Sequence, residues 1–178
     1  MAVPEDAISK GFPMISIRSV LLIAIMLLAG CQSIDLPTTT TKHALTVRPS
    51  SVARLTEIKK VLGLHERKHR RQIQAMVGIN PATTPWCGAA VGYAVRKTGG
   101  TPPRSHNRAI SWRKWGTAVS LQNARPGDVV IYRFKRGHHV ALFEKHLGKG
   151  RHQSCGGNMS NRFKCSAYRN GSVVAVRR

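Results

Sequence analysis

Thr83-Thr84-Pro85-Trp86-Cys87-Gly88-Ala89-Ala90 is the stretch on which the reading of this chain turns. Thr84 is a favourable helix cap and Pro85 suits the first helical position, so a helix is expected over about residues 85–98. Cys87 then falls in the first turn, where unpaired backbone N–H groups and the helix dipole favour a thiolate. Ala89, Ala90, Tyr93 and Ala94 follow on overlapping faces, small enough to let the helix lie close to a sheet, and Gly99-Gly100 ends it. A cysteine set there has the placement of a nucleophile that needs a base from elsewhere in the chain.

Upstream, Val52, Leu55, Ile58 and Leu62 recur at helical spacing from about Ser51, with Gly63 as a stop. A second helix is expected from about His65 to Val77, carrying the basic run Glu66-Arg67-Lys68-His69-Arg70-Arg71 on a solvated face. Downstream, Asn107 to Trp115 reads as a short helix ended by Gly116. The period then changes. Residues 128–134, 138–144, 162–168 and 172–177 alternate or run apolar in strand fashion, separated by Pro126-Gly127, Arg136-Gly137, Gly148-Lys149-Gly150, Gly156-Gly157 and Asn170-Gly171. Helices followed by hairpin-linked strands predict an α+β fold, with N-terminal helices packed on an antiparallel sheet of about five strands.

The chain has 178 residues with 42% hydrophobic content, enough for one core plus a targeting segment. Its 29 Lys and Arg against 7 Asp and Glu give a formal charge of +22, a surface that seeks polyanions of any kind. The N-terminal region narrows the choice. Val20 to Gly30 is an uncharged apolar run behind Arg18, short for a membrane span and shaped like a secretory core. Leu28-Ala29-Gly30-Cys31 resembles a bacterial lipobox, which implies cleavage before Cys31 and lipidation of its thiol. Residues 1–30 are therefore expected to be a signal peptide, with Met14 as an alternative start, and an uncleaved anchor is the competing reading. Gln32 after the cysteine, rather than Asp, favours an outer-membrane anchor facing the periplasm. Residues 31–50, rich in Thr and polar, read as a tether, and residues 51–178 as the folded domain.

Of the remaining cysteines, Cys155 and Cys165 sit about a hairpin apart, and export to an oxidising compartment suits a disulfide between them. Free thiols and a zinc site are the alternatives, the latter without CxxC or HxxxH spacing. His43, His65, His69, His106, His146 and His152 are scattered. No metal or cofactor is expected.

Five motifs occur in order: Thr84-Pro-Trp-Cys-Gly-Ala-Ala90, Asn107 to Gly116, Arg125-Pro-Gly-Asp-Val-Val130, Gly137-His-His-Val140 and Gly156-Gly-Asn158. Together they resemble the NlpC-type and CHAP-type cysteine peptidases of the papain-like superfamily, above all its small TPWC…HV…GGN branch of wall-lytic candidates, over about residues 62–177. The resemblance implies Cys87 as nucleophile and His139, immediately before Val140, as general base. It also implies Asn158 as the group orienting the imidazole, with Gln153 and His152 close by in sequence. Strand alternation puts His138 on the opposite face from His139, so choosing between them rests on the motif. Gly88, Trp86 and Asn107 are candidates for the oxyanion site and substrate cleft, with Asn107 equally suited to a helix cap and Trp86, Trp112 and Trp115 better suited to the core and groove wall than to sugar platforms.

The implied reaction is hydrolysis of an amide in the peptide part of peptidoglycan, within the stem or at the sugar-to-peptide link, by a monomer. The competing classes are a catalytically inactive, basic envelope-binding lipoprotein of the same fold, and a nucleic-acid binder, which only the charge supports. Expected partners are peptidoglycan, anionic envelope polymers or lipids, and the membrane through the lipid anchor, with no specific nucleic acid.

Overall fold

The helix that carries the thiol is almost wholly buried, and the other elements are arranged around it. A computed structural model describes residues 51–178; the expected signal segment, Cys31 and the expected tether lie outside them. The helices are α1 (Ser51–Lys59), α2 (Arg70–Val77) and α3 (Cys87–Lys97), followed by a 3-10 helix over Ala109–Lys114. The strands are β1 (Ala118–Val119), β2 (Val129–Phe134), β3 (Gly137–Gly148), β4 (Arg151–Gly156), β5 (Lys164–Arg169) and β6 (Val173–Arg177). They form one antiparallel sheet in the order β1-β6-β2-β3-β4-β5. The architecture is α+β, helices on one side of an antiparallel sheet. Among the described residues no helix is long and apolar enough to cross a membrane.

Alternation along the strands sorts the core into two layers. Val129, Ile131, Val140 and Leu142 face the helices and meet Leu55, Ile58, Ile73, Val77, Val91 and Val95. Val130, Tyr132, Ala141, Phe143 and Val176 face the other way, with Tyr168 and Val173 packed against them. Burying Val91 and Val95 contributes about 1.5–3 kcal/mol each, so α3 is held by packing rather than by its own propensity.

The helix starts differ from the expected ones, for local reasons. Asn80 accepts the backbone N–H groups of Thr83, Thr84 and, through its side chain, Ala82. That turn occupies the residues meant to cap α3. Thr84 makes no cap, Pro85 precedes the helix, and Cys87 is its first residue behind Trp86. Likewise α2 begins at Arg70 rather than His65. The N–H of His65 is taken by His69 Nδ1, and that of Glu66 by the carbonyl of Asn161, which ties this segment to the stretch before β5. α1 stops at Lys59, because Gly63 and Leu64 pair with Phe163 instead. Leu55 and Ile58 point inward as their spacing predicts, whereas Val52 and Leu62 are 52% and 42% exposed.

The sheet has six strands rather than about five. β1 is only two residues long, and β4 has a sequence (Arg-His-Gln-Ser-Cys-Gly) without strand character of its own. Its pairing with β3 and β5 on either side makes it a strand, an instance of tertiary context overriding propensity. Cys155 and Cys165 are directly opposed across β4 and β5 and joined by a disulfide.

One close approach fixes how α3 sits on the sheet. A Cβ on Gly157 would lie 2.2 Å from Trp86 Cζ3 and 2.5 Å from Ala90 Cβ. Only a glycine allows the helix this close, and the chain just beyond β4 is thereby locked against the start of α3.

Candidate active site

Cys87 is the one free cysteine among the described residues. Being the first residue of α3, it meets unpaired N–H groups at the helix start. Its side chain is buried, 6% exposed. Burial pushes the thiol above its ordinary value, while hydrogen bonding from the backbone of Val140, Gly88 and Cys87 itself pulls the other way. Burial is the larger effect, so the resting group is a thiol.

The Val140 contact brings the sulfur to β3 just after His139, two residues before the β3–β4 ladder begins at Leu142↔Cys155. The edge of β3 is unpaired by β4 at that point, and the influence of Cys87 reaches Tyr168 on the Tyr132 face. His139 pairs with Tyr132 and projects to the Tyr132 side of the sheet. Its ring centroid is 6.0 Å from those of both Tyr132 and Tyr168. His139 Nε2 is enclosed and has no hydrogen-bond partner. With nothing to stabilise the imidazolium, burial pushes its pKa down to about 4, and the ring is neutral near pH 7. Tyr168 flanks the pair: burial raises its pKa first, and the neighbouring Cys87 charge adds to that.

The other sequence-derived candidates fall into distinct places. Gly88 is required where it stands, since a Cβ there would lie 2.2 Å from the carbonyl oxygen of His106 and 2.7 Å from that of Asn107. Asn107 therefore adjoins the start of α3. It does not cap the 3-10 helix, whose cap residue is Arg108, and its Oδ1 is enclosed without a partner. Two unpaired buried polar atoms, His139 Nε2 and Asn107 Oδ1, thus belong to the residues gathered around the thiol. Native proteins leave few such atoms unpaired, so each of these two calls for a physical reason.

Asn158 lies two residues beyond β4 with φ 57°. Ser160 and Asn161 are also left-handed, at φ 52° and 63°, and carry the chain round toward Phe163. No hydrogen bond joins Asn158 to His139 among the described residues. Gln153 donates to Glu144 at 2.7 Å, and His152 is buried on the Tyr132 side, so neither replaces it.

Trp86 lies in the core, the reading favoured for it, and this corrects its place among the substrate-cleft candidates. It is fully buried, crosses Phe163 edge-on at 4.8 Å and donates its indole N–H to Glu66 at 3.2 Å. A side chain with no exposed surface cannot receive a substrate. Glu66, an isolated acid in a basic run, is the partner that makes this burial tolerable.

Glu144 lies beside Cys155 and Cys165, but both sulfurs are committed to the disulfide. A bonded sulfur carries no proton and offers no thiolate. Glu144 instead pairs with Lys59. His138 lies on the helix side of β3 by alternation and is half-buried.

The sequence matches no family model and no curated protein. In fold the chain is similar to several solved structures from Mycobacterium tuberculosis. One is Rv1477, a hypothetical invasion protein: 18% identity, TM-score 0.48, over 72% of this chain and 61% of that one. The chain thus spans less than two thirds of the solved Rv1477. A second is RipD (Rv1566c), described as a non-catalytic NlpC/p60 domain protein adapted to peptidoglycan binding: 17% identity, TM-score 0.45, over 72% and 95%. A third is the peptidoglycan hydrolase RipB (Rv1478): 18% identity, TM-score 0.41, over 85% and 94%.

Proposed function

We propose that residues 51–178 are a papain-like domain of the NlpC/P60 type that cleaves an amide bond in the peptide part of peptidoglycan. In this reading Cys87 is the nucleophile and His139 the base. The observation that carries it is the packing of the helix-start Cys87 with Val140, the residue next to His139, whose Nε2 is enclosed and unpaired. Because thiol and imidazole are both neutral at rest, attack is coupled to proton transfer rather than launched from a preformed ion pair. The S–H proton passes to the imidazole as sulfur bonds to the carbonyl carbon. The N–H groups of Cys87 and Gly88, unpaired at the start of α3, are the donors offered to the oxyanion. The imidazolium then protonates the leaving amine, and water, deprotonated by the same imidazole, releases the acyl group. Export, lipidation at Cys31 and an outer-membrane position facing the periplasm complete the reading, with the monomer as the working unit.

The second reading is a non-catalytic peptidoglycan binder. The 6% exposure of Cys87 and the lack, among the described residues, of a hydrogen bond from Asn158 to His139 favour it, since a poised site would open its thiol and orient its imidazole. Digestion of purified sacculi, with the released fragments read by mass spectrometry, separates the two. The hydrolase predicts new amine and carboxyl ends that disappear in Cys87→Ala and in His139→Ala. Retained binding with no fragments from the unaltered chain would establish the binder instead. Fragments undiminished in Cys87→Ala would overturn the assignment of the nucleophile.

A further inference from the structure

A second site lies where the end of β5 turns back toward β6. The β3–β4 turn and the 3-10 turn at Asn170–Ser172 enclose a concavity of about 970 Å³ there. Its charged lining is Arg133, Lys149, Arg151 and Arg169, with the Ser172 hydroxyl among the remaining groups. No acidic side chain lines it, and among the described residues none of the four cations takes part in an ion pair. Arg151 and Arg169 are moreover directly opposite each other across β4 and β5, an arrangement of like charges that weakens a sheet. Such an unrelieved arrangement is what an anion from outside would stabilise.

The concavity is built rather than incidental. Asn170 ties its two turns together, donating its backbone N–H to the carbonyl of Gly150 at 2.8 Å. The Asn170 side-chain oxygen is held 2.8 Å from Nδ1 of His152, which is fully buried. An amide oxygen only accepts, so Nδ1 carries the proton and Nε2 faces the Tyr132 hydroxyl at 2.9 Å. Tyr132 in turn contacts Ser154 Oγ at 2.7 Å. This buried chain fixes the turn that presents Arg169. The Ser172 hydroxyl, donating to the Arg169 carbonyl at 2.7 Å, fixes it from the other side.

We infer that this concavity binds a ligand carrying adjacent phosphate groups. Three guanidinium forks and an ammonium exceed what a single carboxylate can neutralise. They match two neighbouring phosphates, whose oxygens accept paired N–H bonds from Arg. Its lining includes none of Cys87, His139 and Asn107, and the inference stands whether or not the chain is a hydrolase. The shared chemistry is the phosphate pair, from a soluble or polymer-borne phosphate or from clustered lipid headgroups.

Calorimetric titration of the full chain with inorganic pyrophosphate tests it. Binding is expected to fall about tenfold in Arg169→Gln and about a hundredfold in Arg151→Gln/Arg169→Gln. Arg67→Gln/Arg70→Gln, which thins the separate basic cluster at Arg67–Arg71, is expected to leave it unchanged. Without ligand, Arg169→Gln is expected to melt about 2 °C higher at low salt, because the cross-strand repulsion is gone. A parallel arm measures sedimentation with phosphatidylglycerol vesicles against phosphatidylcholine vesicles. Vesicle binding lost in the Arg151/Arg169 variant identifies the lipid source; pyrophosphate binding alone identifies the soluble or polymer source. The inference is overturned if the Arg151/Arg169 variant binds like the unaltered chain, if the Arg67/Arg70 variant loses as much, or if citrate binds as tightly as pyrophosphate.

Discussion

Gly157→Ala is the sharpest probe of how the scaffold places Cys87. The added methyl would begin 2.2 Å from Trp86 Cζ3 and 2.6 Å from Cε3, and contact becomes ordinary only at 3.4 Å. Trp86 has nowhere to retreat. Its ring is boxed by Phe163 at 4.8 Å and its indole N–H is tied to Glu66 at 3.2 Å. Either the indole gives up that hydrogen bond or α3 lifts from the sheet. Forced overpacking with partial loss of a buried hydrogen bond costs about 3 kcal/mol, near 10 °C in melting temperature for a domain of this size. The alternative response, lifting α3, would carry Cys87 off the Val140 backbone, remove one of the groups that restrain its pKa and expose the sulfur. The assay pairs thermal melting with the rate of Cys87 alkylation by iodoacetamide, on Gly157→Ala and on Gly171→Ala as control. An added Cβ at Gly171 meets nothing within 4 Å, and that variant should behave as the parent. A Gly157→Ala protein with unchanged melting and unchanged alkylation would refute the close approach and the placement of Cys87 that depends on it.

Two further outcomes follow from groups around the site. Glu66→Ala strands the buried Trp86 N–H and should lower stability by about 1–3 kcal/mol in urea unfolding, whereas Glu66→Gln, which keeps an acceptor, should recover most of it. His139 is pushed down to about 4 in the fold from an unfolded value near 6.5, so the unfolded chain binds its proton first. Its contribution is fully present above about pH 6.5 and is lost as pH falls toward 4, by about 3 kcal/mol in all. Melting followed over that range should fall less steeply for His139→Gln than for the parent. Parallel curves would show that His139 is not buried as described.

What the sequence disclosed and what it hid divide along a physical line. The apolar periods of α3, β2 and β3 depend on local spacing and were readable, as was the order of helices before strands. β4 was not, because its strand state comes from neighbours on both sides and its residues carry no β preference. The start of α3 was misplaced by two residues because Asn80, outside the capping pattern, claims the N–H groups of Thr83 and Thr84. Glu66 gave no signal as a buried partner, since nothing in a run of basic residues distinguishes an acid that turns inward. A hint lay in Trp86 itself, an indole in a buried position that must find an acceptor. The motif singles out Cys87 and His139 but carries nothing about their protonation, which burial sets.

The position of β6 has a kinetic consequence. It lies between β1 and β2, so Ala118 pairs with Arg177 and Val129 with Arg177 across dozens of intervening residues. The β2–β3, β3–β4 and β4–β5 hairpins can form as their residues emerge, but the other half of the sheet must wait for the segment that comes after them. Closure over so long a loop is slow, and until it happens β2 presents an open edge to other chains. Slowing the arrival of residues 173–177, by a chaperone or by the rate of synthesis, would hold the domain in a half-paired state while its thiol-bearing helix is already made.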